Sequence, residues 1–481
     1  MLEKILGGIK PKNGKITLDE AAALLKTDKK ALEAFETAYQ DKVLLVDPDP
    51  ETEQLNAKQA SALKEKLDAA LQTQDDDSTA VLNDLITRIV NELVAQTKVY
   101  AYSRGTAKIS VPRELPEPES LVSMKDLKPV AKELRPDLTG TLMRVDITET
   151  SFPALLYFYQ QYLKEKNPKK KKHYYDMFRA GLDLLDLDDV IYEIIGRNKN
   201  SMGFWFPKLV EAAKEQSFFK IPETCIAKVP MTLLQLTKLD YGMLSPTSLK
   251  IVDRWAVEVF NLNMEKEYFI KTGTFSSKYD FRNAHVYGQK EVKELGEYLL
   301  FIHNQAISMA SFTNTPSIYG VSTTVEWVVR EFIQDKDNAP AIYKGLPLHT
   351  EYRVFVDCDT DQVLCIVPYW DPKTMKNRFT SGMDANSPHQ RHDYVTFSAY
   401  EDVMMQRYEE NKENIVAHVA TDILPWLDLT GQWSLDIMQN GDDFWLIDMA
   451  LAEQSFFYDH VPEGLRHPSP ENWLPTEINE N

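Results

Sequence analysis

The chain predicts an α+β fold preceded by a mostly helical N-terminal region, and three observations carry that assignment. From about residue 216 onward, short apolar strands alternate with helical patterns. Before that point the apolar positions recur mainly at helical spacing. Near the end, Trp433-Ser434-Leu435-Asp436-Ile437-Met438 and Phe444-Trp445-Leu446-Ile447-Asp448-Met449-Ala450 flank a polar tip containing Asn440-Gly441, the strongest short-range hairpin signal.

Taken in order, Thr17-Leu18-Asp19-Glu20 opens like a capped helix, with Thr17 as N-cap and Glu20 three residues on. A second helix is expected from Asp28 to Tyr39. The pair has the outline of a helix-turn-helix, but its acidic face and lack of basic recognition residues point to packing or partner docking instead of DNA. Residues 53–98 carry two more helical patterns, separated by the acidic break Gln74-Asp75-Asp76-Asp77-Ser78. The alternation in Lys98–Tyr102 and Lys108–Pro112 predicts a small hairpin. A stretch dense in Pro, Glu and Lys then reads as a linker. The expected organisation is a helical accessory domain with a hairpin over 1–112, a linker over 113–136, and a helical region over 137–215 that packs on the body. Lys169-Lys170-Lys171-Lys172 reads as a solvated loop between helices, because few aromatic residues interleave with it to stack on RNA.

Length and composition bound the function. A chain of 481 residues has room for several domains and a large core, and 43% hydrophobic with 26% charged residues is globular composition. A net charge of -19 argues against broad attraction to nucleic acid or an anionic membrane, while leaving room for a local basic groove. Cys225, Cys358 and Cys365 show no paired spacing and read as buried thiols in a reducing compartment. The N-terminal residues lack a secretory pattern, no 18 apolar residues run together, and the nine histidines form no zinc signature. The expectation is a soluble cytoplasmic protein.

Charged residues set inside apolar strands mark the chemistry. If the final hairpin pairs about its tip, Asp436 and Asp448 approach across the ladder. Two unneutralised carboxylates there repel, so either one is protonated or a cation bridges them, and Mg²⁺ carrying nucleotide phosphates meets that need. The alternative is an ordinary hairpin with two solvent-facing aspartates. Upstream, a strand ending in Lys271 runs into Gly273-Thr274-Phe275-Ser276-Ser277-Lys278, where small residues and an ammonium suit phosphate oxygens, although an ordinary flexible hairpin reads the same way. The strand Val325–Ile333 carries Arg330 and Glu331 to opposite faces; Glu331 and Ile333 are expected to offer backbone groups to a purine ring, with Phe332 among the apolar cover. In Thr350–Asp357, Arg353 needs an anion, which either a triphosphate or neighbouring Glu351 supplies. Asp371 is expected at the exit of the next strand, before a mobile polar loop with Arg378 and Asp384 and a helix from Ser398 to Asp422.

In this order the segments resemble the ATP-grasp superfamily. More narrowly they are similar to the divergent clade that includes the eukaryotic cell-division-cycle protein assisting assembly of translation initiation factor two. That clade is marked by one lysine and two arginines, matched by Lys271, Arg330 and Arg353. Its W-S-x-P-K-D-A loop is similar to Phe275–Asp280, its E-F-R-x-F-V to Glu351–Val356, and its closing D-V and W-L-I-D-F-N-P to Asp436-Ile437 and Trp445–Met449. The resemblance spans about residues 216–460. One position departs: the family's metal-binding asparagine is Ala450 here, which leaves its role to water or Glu453.

The resemblance implies an ATP-grasp-like fold, with ATP and Mg²⁺ clasped between an N-terminal subdomain and lid (216–318) and a C-terminal subdomain (319–481). It assigns ATP contacts to Lys271, Ser276, Ser277, Lys278, Arg330, Glu331, Phe332, Ile333, Arg353 and Asp371. Lys271, Arg330 and Arg353 become the catalytic cations, and Asp436 and Asp448 the metal ligands. It implies a carboxylate-amine ligase that modifies a peptide or protein through an acylphosphate. The alternative is an ATP-binding assembly factor without turnover, which Ala450 and the long helical N-terminal part favour. RNA ligation or modification is a third reading, opposed by the net charge. The sequence names neither the acceptor nor the nucleophile.

Overall fold

The computed structural model describes residues 77–103, 106–110, 161, 164–171, 174, 192, 195–239, 244–313 and 324–468. The helix pair expected over 17–39, the first helical pattern after residue 53 and the 113–136 linker lie outside them. Helix α1 (Asp77–Gln96) buries Ile86, Ile89, Val90 and Leu93, the stripe of a helix packed on one side. It leads into β1 (Lys98–Ser103) and β2 (Thr106–Ser110), the antiparallel hairpin expected there. Next come α2 (Met202–Ala212), β3 (Phe219–Lys220), β4 (Thr224–Lys228), α3 (Pro246–Val259), β5 (Tyr268–Thr272), β6 (His285–Val286), α4 (Leu295–Thr313) and β7 (Glu326–Glu331).

Six of these strands form an antiparallel sheet in the order β2-β1-β4-β7-β5-β6. The 98–110 hairpin therefore does more than accompany the N-terminal helices: it covers the edge of β4, whose backbone groups would otherwise stay open. Helix α3 starts where its sequence says it must, with Ser245 Oγ accepting the Ser248 N–H at 3.2 Å and Pro246 in the first turn. Its Leu249, Val252, Trp255, Ala256 and Val259 are buried, and it packs on α1 and α4.

The second sheet follows a short ribbon, β8 (Ala341–Ile342) with β9 (Leu346–Pro347). It is built from β10 (Thr350–Asp357), β11 (Gln362–Pro368), β12 (Gln432–Asn440) and β13 (Asp443–Leu451), with α5 (Pro372–Thr380) and α6 (Gln390–His418) between β11 and β12. The order is β11-β10-β12-β13-β3, antiparallel except where β3 joins β13 in parallel. The expected hairpin turns at Gly441, whose φ of 63° suits glycine, while Asn440 accepts the Lys336 N–H and donates to the Gln334 carbonyl.

Helix α2 touches β1 and β2 of one sheet and β13 of the other, and the main hydrophobic core draws on both sheets. Helix α6 covers β10 and β11. The fold is α+β, with one antiparallel and one mixed sheet flanked by helices. Among the described residues no helix is long and apolar enough to cross a membrane.

Two local expectations are corrected. The polar stretch after Asp371 is not an open loop: it begins with α5, because Met375 and Phe379 bury against Trp370, Phe397 and Met404 in a second core. For the same reason the next helix starts at Gln390 rather than Ser398, and it ends at His418 in a π-turn over Val419–Ile423.

Candidate functional site

Residues of both sheets line a cleft with about 870 Å³ of empty space, part of it open to solvent. Strand alternation decides what faces it. From β5 come Phe269 and Lys271, two residues apart and so on one face, and Arg330 of β7 lies opposite Phe269. From the second sheet come Glu351, Asp436, Met438 and Asp448. Arg353 stands opposite Asp436 in the β10–β12 register, and Asp436 stands opposite Asp448 in the β12–β13 register. Directly opposed residues share a face, so the three side chains form a row.

That row is neutralised by the protein itself. Arg353 grips Asp436 with two parallel bonds, Nε to Oδ1 at 2.8 Å and Nη2 to Oδ2 at 2.7 Å. Lys271 Nζ reaches across from the first sheet to Asp448 Oδ2 at 2.8 Å. A bulge completes the arrangement: the register steps from Asp436–Asp448 to Ile437–Leu446 and leaves Ile447 unopposed. Its carbonyl accepts from Arg330 Nη1 at 2.8 Å, a second tie between the sheets.

Burial governs the electrostatics. Lys271 is 2% exposed, and burial lowers its pKa while Asp448 opposes the fall. On Asp448 burial pushes upward, but Lys271 and then Arg330 outweigh it and hold the carboxyl below its ordinary range. Burial brings Arg330 down to about 10, still cationic at neutral pH, and its Nε has no hydrogen-bond partner among the described residues. A buried donor left unmade is costly, and an incoming acceptor would relieve it. The Lys278 ammonium lies 4.2 Å from the centre of the Tyr369 ring.

Glu351 is the titrating wall of the cleft. Burial raises it from the usual 4.5 to about 7; Lys278 opposes the rise, Asp436 adds to it, and the Trp370 indole N–H donates to Oε1 at 3.1 Å. A carboxyl raised on folding stabilises below its unfolded pKa, and that contribution is lost as pH rises through 7. The wild type is expected to lose roughly 3 kcal/mol between about pH 5 and 8 through this group. Urea unfolding of Glu351→Gln at both pH values should show a flatter dependence; identical slopes for the two proteins would remove Glu351 from this role.

Of the residues singled out by sequence, Lys271, Ser276, Lys278, Arg330, Glu331, Phe332, Ile333, Asp436 and Asp448 line the cleft. Others are placed differently. Arg353 has Asp436 as an anion within the chain. Ser277 is 3% exposed and donates to Gln305 Oε1 of α4 at 2.8 Å. Asp371 caps α5 by accepting the Thr374 N–H at 2.8 Å. In the strand after Arg330, the Glu331 N–H already donates to the Glu223 carbonyl and that of Phe332 to the Glu267 carbonyl. The Ile333 N–H donates to no acceptor among the described residues.

Sequence reasoning passed over Phe269, Met438 and the full role of Glu351, although each lies two residues from a singled-out position and alternation would have found it. Phe281, Leu346, Pro347, His349, Tyr369 and Trp370 also line the cleft, but no local pattern announces them.

As for Mg²⁺, two carboxylates are the right donor chemistry, but both are committed to cations of the chain. The next position on that face of β13, Ala450 opposite Ser434, adds no side-chain oxygen. As arranged, Asp436 and Asp448 present no unpaired carboxylate to a divalent ion.

No family model matches the chain, and no curated protein sequence matches it. Among solved structures, the chain is similar to Cdc123 from Schizosaccharomyces pombe, with a TM-score of 0.31 and 12% identity over 58% of this chain and 96% of that one. A C-terminally truncated form of Cdc123 from the same organism gives a TM-score of 0.29 and 14% identity, covering 54% of this chain and 87% of that one.

Proposed function

We propose that this chain is an ATP-binding protein with an ATP-grasp-like site, acting as an assembly factor that engages a protein partner according to nucleotide occupancy. The observation that carries the proposal is the bipolar cleft. Phe269, Phe281 and Phe332 cluster at one part of it, with Leu346, Pro347 and Met438 among the other apolar walls. Two residues from Phe269 on β5 and from Met438 on β12 stand Lys271 and Asp436, with Arg330 and Lys278 adding cationic charge. An aromatic ring joined to a polyphosphate has the matching polarity. Lys271, Lys278 and Arg330 would face the phosphates, the apolar walls and the Ile333 N–H the base. Binding is preferred to turnover because Asp436 and Asp448 are both occupied by cations of the chain.

A carboxylate-amine ligase is the second reading, and Glu351 is the observation that favours it: a cleft-wall carboxyl titrating near 7 suits a proton acceptor. Calorimetric titration with ATP, adenosine and inorganic tripolyphosphate tests the main proposal. ATP is expected to bind more tightly than either fragment, since both parts of the cleft contribute. No heat with ATP would end the nucleotide reading. ADP release from ATP on adding candidate amino acids or peptides would move the assignment to the ligase.

A further inference from the structure

We infer that the cleft takes its polyphosphate ligand as the free anion, held by its own cations, with no divalent ion between ligand and protein. This rests on the nucleotide reading above and concerns how the phosphates are held. Four cationic side chains, Lys271, Lys278, Arg330 and Arg353, line or adjoin the cleft against three carboxylates, Asp436, Asp448 and Glu331, which leaves one positive charge over. Glu351, when ionised, cancels it.

All four aspartate oxygens have partners. Both oxygens of Asp436 are on Arg353, at 2.8 and 2.7 Å. Asp448 gives Oδ2 to Lys271 at 2.8 Å and Oδ1 to the Met449 N–H at 3.1 Å. Mg²⁺ demands near-octahedral oxygen ligation at about 2.1 Å, so it would have to share these oxygens with cations already within hydrogen-bond distance of them. Two cationic donors stand open to a ligand. Arg330 Nε is buried without a partner among the described residues, and Lys278 forms no ion pair among them. A polyphosphate satisfies both directly, which a metal ion cannot do.

The test is titration of the full chain with ATP in excess EDTA and in excess Mg²⁺. Affinity in EDTA is expected to equal or exceed that in Mg²⁺, within about threefold, because no charge-assisted contact is lost. Affinity more than about tenfold weaker in EDTA, restored by Mg²⁺, would overturn the inference while leaving the nucleotide reading intact. Absence of ATP binding in both media would sink the nucleotide reading, and this inference with it. Asp448→Asn gives an opposite sign for the two arrangements. Releasing Lys271 to the phosphates leaves ATP affinity unchanged or tighter, whereas losing a metal ligand weakens it in Mg²⁺.

Discussion

Arg353→Ala is expected to lower the free energy of unfolding by about 3–5 kcal/mol, the usual cost of removing one partner from a buried ion pair. The side chains of Arg353 and Asp436 are only 11% and 9% exposed, so the orphaned carboxylate cannot recover its hydration in place. Asp448 stands directly opposite in the ladder and adds repulsion. The loss also removes the Arg353 bond to the Phe456 carbonyl, 3.1 Å long, and the contact with the Tyr369 ring. Urea unfolding of Arg353→Ala, Asp436→Asn and the double variant measures the coupling. The double variant should recover much of the loss, because it leaves no charge behind. A cost below about 1 kcal/mol for Arg353→Ala would mean that Asp436 is solvated and that the pair does not anchor the sheet.

Lys271→Ala should weaken ATP binding by about tenfold or more, since one charge-assisted contact is worth about 1.5–3 kcal/mol. Two effects act in the same direction. The ammonium disappears from the cleft, and Asp448 loses its ion-pair partner, leaving a bare carboxylate where phosphate oxygens would lie. Lys271→Met separates charge from packing: it keeps the apolar length of a side chain that is 2% exposed and should lose affinity equally. Calorimetry against ATP, with circular dichroism to check folding, reads both variants. Unchanged affinity would take Lys271 out of the site.

What the sequence made visible follows a physical pattern. Lys271, Asp436 and Asp448 stood out because a charge inside an apolar strand is expensive and needs a partner. The nearest partner in sequence was not always the real one. Arg353 is two residues from Glu351, but it pairs with Asp436 on a strand 83 residues away, which only the sheet order reveals. The 98–110 hairpin was legible as a hairpin, while its place on the edge of β4 depends on a pairing with a distant strand. The helix after Asp371 was missed although Asp371-Pro372 is itself a helix-start signal, an N-cap followed by proline in the first turn. The rest of the lining, such as Phe281, Leu346 and Trp370, sits on short elements and turns whose direction tertiary packing sets, so no periodicity exposes it.

The bulge that frees the Ile447 carbonyl for Arg330, together with the reach of Lys271 to Asp448, has a mechanical meaning. These cations are struts between the two halves of the molecule as well as the charges an anion would recruit. An occupant that draws on either one competes with the brace it belongs to, so filling the cleft and unlocking one half from the other draw on the same side chains.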